Sequence, residues 1–227
     1  MGKILEKELS GLKERLLTMG SVVEAQVARS IKSLVDRDND LARKVIDADH
    51  EVNRMEVEID EECIRLLALR QPEAGDLRFI TTAMKIVTDI ERIGDLAVDV
   101  SERALELNEE PILKPYIDVP RMAKAARNML KEALDAFVNR NAELAWAVLD
   151  EDDFVDELNK QIFRELLTFM IEDPHSISRA IRITYISKYL ERIADHATNI
   201  AEMVVYLVEG RIIRHMDNQQ TNSASQD

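Results

Sequence analysis

The chain has 227 residues and a net charge of −14, with 33% charged residues, 4% aromatic residues, six glycines and five prolines. Such a length buries a sizeable core, and a composition rich in Ala, Leu, Glu, Arg and Ile is that of long helices. The acidic balance argues against the basic face of a nucleic-acid binder, and a single cysteine, Cys63, excludes both an internal disulfide and a thiolate zinc cluster within one chain.

The first segment carries Leu5, Leu9, Leu12, Leu16, Met19, Val23 and Val27 at helical spacing, which predicts an amphipathic helix. Its start mixes charges and has no continuous apolar core, unlike a secretory signal, and Glu6 stands where a myristoylation pattern needs Ser or Thr. Asp36-Arg37-Asp38-Asn39-Asp40 is a polar turn. Val45, Val52, Ile59 and Leu66 then mark a second helix. After the breaker Gln71-Pro72-Glu73-Ala74-Gly75, a third follows with Ile80, Met84, Val87, Ile90 and Val98. Pro111, Pro115 and Pro120 make the longest interruption. Turns at 138–141 and 172–175 divide the remainder into three more helical segments. Residues 211–227 are polar and aperiodic, and disorder is expected there. No segment alternates like a strand. The longest apolar runs, such as Met203–Val208, fall far short of the roughly 20 residues of a membrane span, so a cytoplasmic location is expected.

The two halves of the sequence align. VDRDNDLARKVIDADHEV (35–52) matches VNRNAELAWAVLDEDDFV (138–155) at an offset of 103. DIERIGDLAVDVSE (89–102) matches YLERIADHATNIAE (189–202) at an offset of 100, and the difference falls in a turn, where a repeat tolerates it. The expected fold is therefore all-α: two tandem three-helix bundles related by internal duplication, six long helices in all. The expected boundaries are 1–108 for the first unit, 109–120 for a Pro-containing linker, 121–210 for the second unit and 211–227 for the tail.

The repeated motif places acids beside apolar positions. Residues four apart lie on one helix face, so Glu91, Asp95 and Asp99 form a column, and Glu191, Asp195 and Asn199 form its counterpart. Gly94 and Ala194 are small enough to admit a neighbouring helix or a ligand. The middle helix carries a second column, Asp49, Asn53, Glu56 and Asp60, matched by Asp152, Asp156, Asn159 and, breaking the pattern, Phe163. If the columns face one another, several carboxylates repel unless they are protonated or bound to a cation, and oxygen ligands suit Mg²⁺, Ca²⁺, Mn²⁺ or iron. The competing reading is a solvated acidic face, with Arg92 and Arg192 pairing locally with acids.

Other chemistries find less support. A di-iron oxidase bundle uses Glu-x-x-His, but His196 stands five residues beyond Glu191, and Pro174 interrupts the Glu172–His175 match. The histidines read as surface or capping residues rather than ligands. There is no nucleophile elbow, P-loop or dinucleotide fingerprint. Cys63 reads as a small core residue, and Trp146 and Met129, placed on the fourth helix or its turn, read as core or interface.

The doubled ERI-Gly/Ala-Asp motif, together with LALRQPEAGDLR (67–78) before the third helix, resembles the PhoU family of phosphate-signalling regulators over about residues 5–210. The resemblance implies an all-α fold of two related three-helix bundles and a recurring E(D)xxxD motif that binds metal, iron in some members and other divalent ions elsewhere. Iron is the expected cofactor, with Zn, Mn, Mg or Ca as alternatives. On this chain the motif falls on Glu91 and Asp95 and on Glu191 and Asp195, with Asp99 and Asn199 one turn on. An acid of the middle helix corresponds to Asp49 and Asp152, followed by Asn53 and Asp156. Asn199 and Asn53 depart from a carboxylate, so the two sites need not share occupancy or metal. The implied role is regulatory and not catalytic. The resemblance implies a cytoplasmic protein that couples the ATPase subunit of a phosphate ABC transporter to a phosphate-sensing histidine kinase, repressing phosphate uptake and starvation genes. Contact with the membrane is expected only through these partners, and a homodimer is expected. A carboxylate–metal hydrolase and a purely structural scaffold are the alternatives.

Overall fold

The structure is a computed structural model and describes residues 2–210. Residues 211–227, where a disordered tail is expected, lie outside the described residues. The helices are α1 (Gly2–Val35), α2 (Asn39–Asp47), α3 (Asp49–Arg70), α4 (Ala74–Asn108), α5 (Asp118–Asn139), α6 (Ala142–Glu172) and α7 (Ile177–Glu209), with one 3-10 turn at Pro174–Ser176. Among the described residues there is no strand, and no helix is long and apolar enough to cross a membrane.

The duplication is written in the caps. Asp38 accepts the Leu41 N–H at the start of α2, and its counterpart Asn141 accepts the Leu144 N–H at the start of α6. Each side chain satisfies one of the amide groups that a helix start leaves free. Arg37, after α1, and Arg140, after α5, are equivalent at the 103 offset and both left-handed, with φ of 56° and 51°.

The middle helix of the first unit is broken where that of the second is continuous. At Ala48 the carbonyl accepts the Glu51 N–H at 3.1 Å, tightening the turn and separating α2 from α3. The Gln26 Nε2 of α1 makes a longer bond to the same carbonyl, at 3.4 Å. The residue equivalent to Gln26 is Met129, which offers no such donor, and α6 runs through the equivalent point, Glu151, without interruption.

Helices α3, α4, α7 and α6 form a row, and α1 and α5 pack together behind it. Each unit is a bundle: α1 with α2, α3 and α4, and α5 with α6 and α7. The units share one apolar core, because α4 lies against α7 and α1 against α5. Helices α4 and α7 run antiparallel: Asp89, near the middle of α4, meets His196, and Glu106, near its end, meets Arg182. Phe79 of α4 stacks on Phe137 of α5 with ring centroids 4.6 Å apart, and both rings are fully buried. Arg127 bonds Glu24 across the same junction at 2.9 Å.

Three details differ from the sequence expectations. Met84 and Val98 are half-buried, whereas Ile86, Ile93, Ala97 and Val100 are fully enclosed or nearly so. The cause is that α4 is covered by α1, α3 and α7 together, so its buried face is wider than one stripe. Helix α5 begins at Asp118, inside the expected 109–120 linker; Pro120 falls in its first turn, where a missing N–H breaks no helical bond. Trp146 belongs to α6 and is partly exposed, its Nε1 donating to Glu209 at 3.1 Å, while Met129 is core in α5. Cys63 is fully buried.

Candidate metal centres

The α3–α4 hairpin is antiparallel, which brings the first turns of α3 level with the middle of α4. Gly94 permits the approach: a Cβ there would lie 3.2 Å from Val52 Cγ1 of α3 and 3.7 Å from Val23 Cγ2 of α1. The small residue thus admits neighbouring helices, and the acids on either side of it are drawn to the helix junction.

Asp49 opens α3 and accepts the Asn53 Nδ2 at 2.9 Å through Oδ2. Its Oδ1, and the Oδ1 of Asn53, are buried with no hydrogen-bond partner. Across the hairpin, the Glu91 side chain is 15% exposed and Asp95 39%. Arg92 is the local counter-charge, 3.6 Å from Glu91 and 3.0 Å from Asp95. Burial pushes the Glu91 carboxyl above its ordinary range; the negative charges of Asp95, Glu56 and Asp49 add to this, and Arg92 opposes it. Burial likewise raises Glu56, with Asp60 and Asp95 adding and Arg92 opposing. The columns of α3 and α4 therefore act on one another.

Asp99 lies one turn beyond Asp95 on α4 and is half-buried. Burial, then Glu102 and Asp95, raise its carboxyl, while Arg192 of α7 and Arg103 lower it. Asp99 therefore feels both its column neighbour Asp95 and the adjoining helix α7.

The second unit repeats the arrangement with more charge. Burial pushes Asp152 of α6 up to about 6, and Asp195, Asp156, Asp153 and Glu191 add to the effect. Asp195 is raised by burial and then by Glu191, with Asp156 adding and Lys188 opposing. Lys188 pairs with Glu191 as Arg92 does in the first unit. Asn199 is half-buried one turn beyond Asp195. His196 is engaged elsewhere, with Nδ1 2.8 Å from Asp89 of α4.

Two oxygen-rich groups result: Asp49, Asn53, Glu91 and Asp95 in one unit, and Asp152, Asp156, Glu191 and Asp195 in the other. Among the described residues, no three His, Cys, Asp or Glu side chains converge as a ready-made metal-binding group. Instead the carboxylates lean on Arg92 and Lys188, the counter-charges that a bound cation would replace. The donor set is oxygen only, which suits hard cations, and the unpartnered Asp49 and Asn53 oxygens fit that chemistry. Gln26 of α1 also reaches this region, and the sequence motifs do not single it out. Its signal is a lone amide between Val23 and Val27 on an otherwise apolar stripe.

Known proteins share the fold and a large part of the sequence. The PhoU domain family matches residues 16–104 and again 119–204. A phosphate-specific transport system accessory protein PhoU homolog of Pseudomonas aeruginosa is 47% identical over 210 residues, covering 92% of this chain and 87% of that one. The corresponding homolog of Aquifex aeolicus is 43% identical over 211 residues, covering 93% and 96%. The crystal structure of PhoU from Pseudomonas aeruginosa superposes with a TM-score of 0.86 at 46% identity, over 91% of this chain and 99% of that one. The phosphate transport system regulatory protein PhoU of Streptococcus pneumoniae gives 0.85 at 30% identity, over 92% and 99%. With twin acid-bearing hairpins, a duplicated helical fold and a match to each half, this chain belongs to the PhoU family.

Proposed function

We propose that this protein is a cytoplasmic, metal-binding accessory protein of a phosphate-specific transport system, with a regulatory and not a catalytic role. The carrying observation is the pair of acidic hairpins, each holding carboxylates in a partly buried and self-repelling state. A hard divalent cation, iron first and Mn, Zn, Mg or Ca otherwise, would neutralise that repulsion and tie α3 to α4 and α6 to α7. Asp49, Asn53, Glu91 and Asp95 would hold it in the first unit, and Asp152, Asp156, Glu191 and Asp195 in the second.

The names of the relatives support the transport-system role. In this reading the protein, as a homodimer, couples the ATPase subunit of a phosphate ABC transporter to a phosphate-sensing histidine kinase and holds phosphate uptake and starvation genes down when phosphate is plentiful. An acidic chain favours fast, salt-sensitive association with basic faces on such partners. The test is a strain lacking the protein, carrying a phosphate-starvation reporter in phosphate-rich medium. The wild-type gene restores repression, and an Asp95→Ala/Asp195→Ala gene does not. Unchanged reporter output on deletion contradicts the regulatory reading, and equal repression by both genes contradicts the role of the metal.

A further inference from the structure

The first unit contains a polar group that its own packing does not satisfy. Gln26 lies in α1, 2% exposed, among Met19, Val23 and Val27. Its Nε2 donates to the Ala48 carbonyl, immediately before Asp49. That bond fixes which way the amide points, and it leaves Oε1 directed at α4. The oxygen lies 3.6 Å from the place a Cβ on Gly94 would occupy, between Glu91 and Asp95 in the sequence. It is buried and has no hydrogen-bond partner, and the same is true of Asp49 Oδ1 and Asn53 Oδ1. A buried oxygen left unpaired is unfavourable, so these three atoms, one on α1 and two in the first turns of α3, each call for a partner. Each is a neutral or anionic oxygen acceptor, so that partner must be a donor or a cation. The adjoining carboxylates of Glu91 and Asp95 favour a cation.

We propose that Gln26 is a further oxygen ligand of a hard divalent cation in the first unit, acting with Asp49, Asn53, Glu91 and Asp95. The proposal rests on the reading of the acidic hairpins as cation sites. It also makes the two units chemically unequal. The first unit offers three carboxylates and two amide oxygens. The second offers four carboxylates, with the fully packed Met129 in place of Gln26. Amide carbonyls are weaker ligands for hard cations than carboxylates, so the first unit is the weaker and more readily exchanged site.

The test is a Mn²⁺ titration of the full chain after chelator dialysis, with free Mn²⁺ read by electron paramagnetic resonance. Wild type is expected to show two classes of site; Asp95→Ala removes the weaker class and Asp195→Ala the tighter. Gln26→Met, which copies the second unit, weakens only the Asp95-dependent class, by about tenfold or more. Gln26→Glu, which keeps an oxygen at that place, restores that class. In the metal-free state Gln26→Met unfolds at or above the wild-type midpoint, since removing an unpaired buried oxygen offsets the loss of the long bond to Ala48, whose carbonyl keeps the Glu51 N–H. A wild-type isotherm for Gln26→Met, with Asp95→Ala still removing a class, overturns the ligand role, assigns Gln26 to a structural water and leaves the carboxylate sites standing. Weakening of both classes by Gln26→Met without rescue by Gln26→Glu also overturns it. An absence of Mn²⁺ binding in wild type overturns the proposal together with the reading beneath it.

Discussion

Replacing Asp152 by Asn should stabilise the metal-free protein at neutral pH and leave it unchanged in acid. The Asp152 carboxyl titrates at about 6 in the fold against 3.8 for an ordinary aspartate, because it is partly buried and faces Asp195, Asp156, Asp153 and Glu191. Between those values the native state holds a proton that the unfolded chain has released. Stability therefore falls as pH rises from about 4 to about 6, and the full penalty persists above that window. A tenfold change in proton affinity is worth about 1.4 kcal/mol, which sets a ceiling of about 3 kcal/mol. The group is only half-buried, so solvent screening reduces this to about 1–2 kcal/mol. Urea unfolding with a chelator present, at intervals from pH 4 to pH 8, measures the difference between variant and wild type. It should open from near zero to that value across the window. Adding a saturating divalent cation should reverse the order, because only wild type retains the full ligand set. A gap that is constant with pH, or one that narrows as pH rises, refutes the reasoning.

Three further outcomes follow from the packing. Phe137→Ala should lose about 3–5 kcal/mol, through the empty volume and the lost stack on Phe79. The two units should still melt in one transition by circular dichroism and Trp146 fluorescence, and separate transitions would contradict the shared core. Gly94→Ala should destabilise by about 1 kcal/mol net, since crowding against Val52 at 3.2 Å outweighs the helix-propensity gain; a Val52→Ala double-mutant cycle should show coupling, and strict additivity would refute the contact. Cys63, enclosed and with burial pushing its thiol up to about 12, should resist a thiol reagent at pH 8 until the chain is unfolded; rapid native labelling would place it elsewhere.

Much of the fold was legible because local rules and tertiary packing agree. The Leu12–Leu16–Met19–Val23–Val27 stripe is buried as its spacing predicts, and the turns at Asp38 and Asn141 are equivalent helix caps. The break at Ala48 was not legible, because residues 39–70 carry no Pro or Gly and read as one helix. Nor was the union of the two units, whose contacts join residues far apart in sequence, 107 positions for Asp89 with His196. At the acidic hairpins the spacing placed acids beside buried positions, where the structure has them, but not which neighbouring helix each one meets. Periodicity placed Asp99 in a column with Glu91 and Asp95, and could not show that Arg192 of the neighbouring α7 also acts on it. Gln26 escaped because a single amide in an apolar stripe has no repeat partner: its counterpart is Met129.

The most direct test of the central claim is elemental mass spectrometry on untagged protein purified without chelator, beside an Asp95→Ala/Asp195→Ala variant whose helicity is verified. The account predicts iron or another divalent metal in wild type and its loss from the folded variant. No bound metal in wild type after reconstitution with Fe²⁺, Mn²⁺, Zn²⁺, Mg²⁺ or Ca²⁺, or equal metal in both proteins, would contradict it.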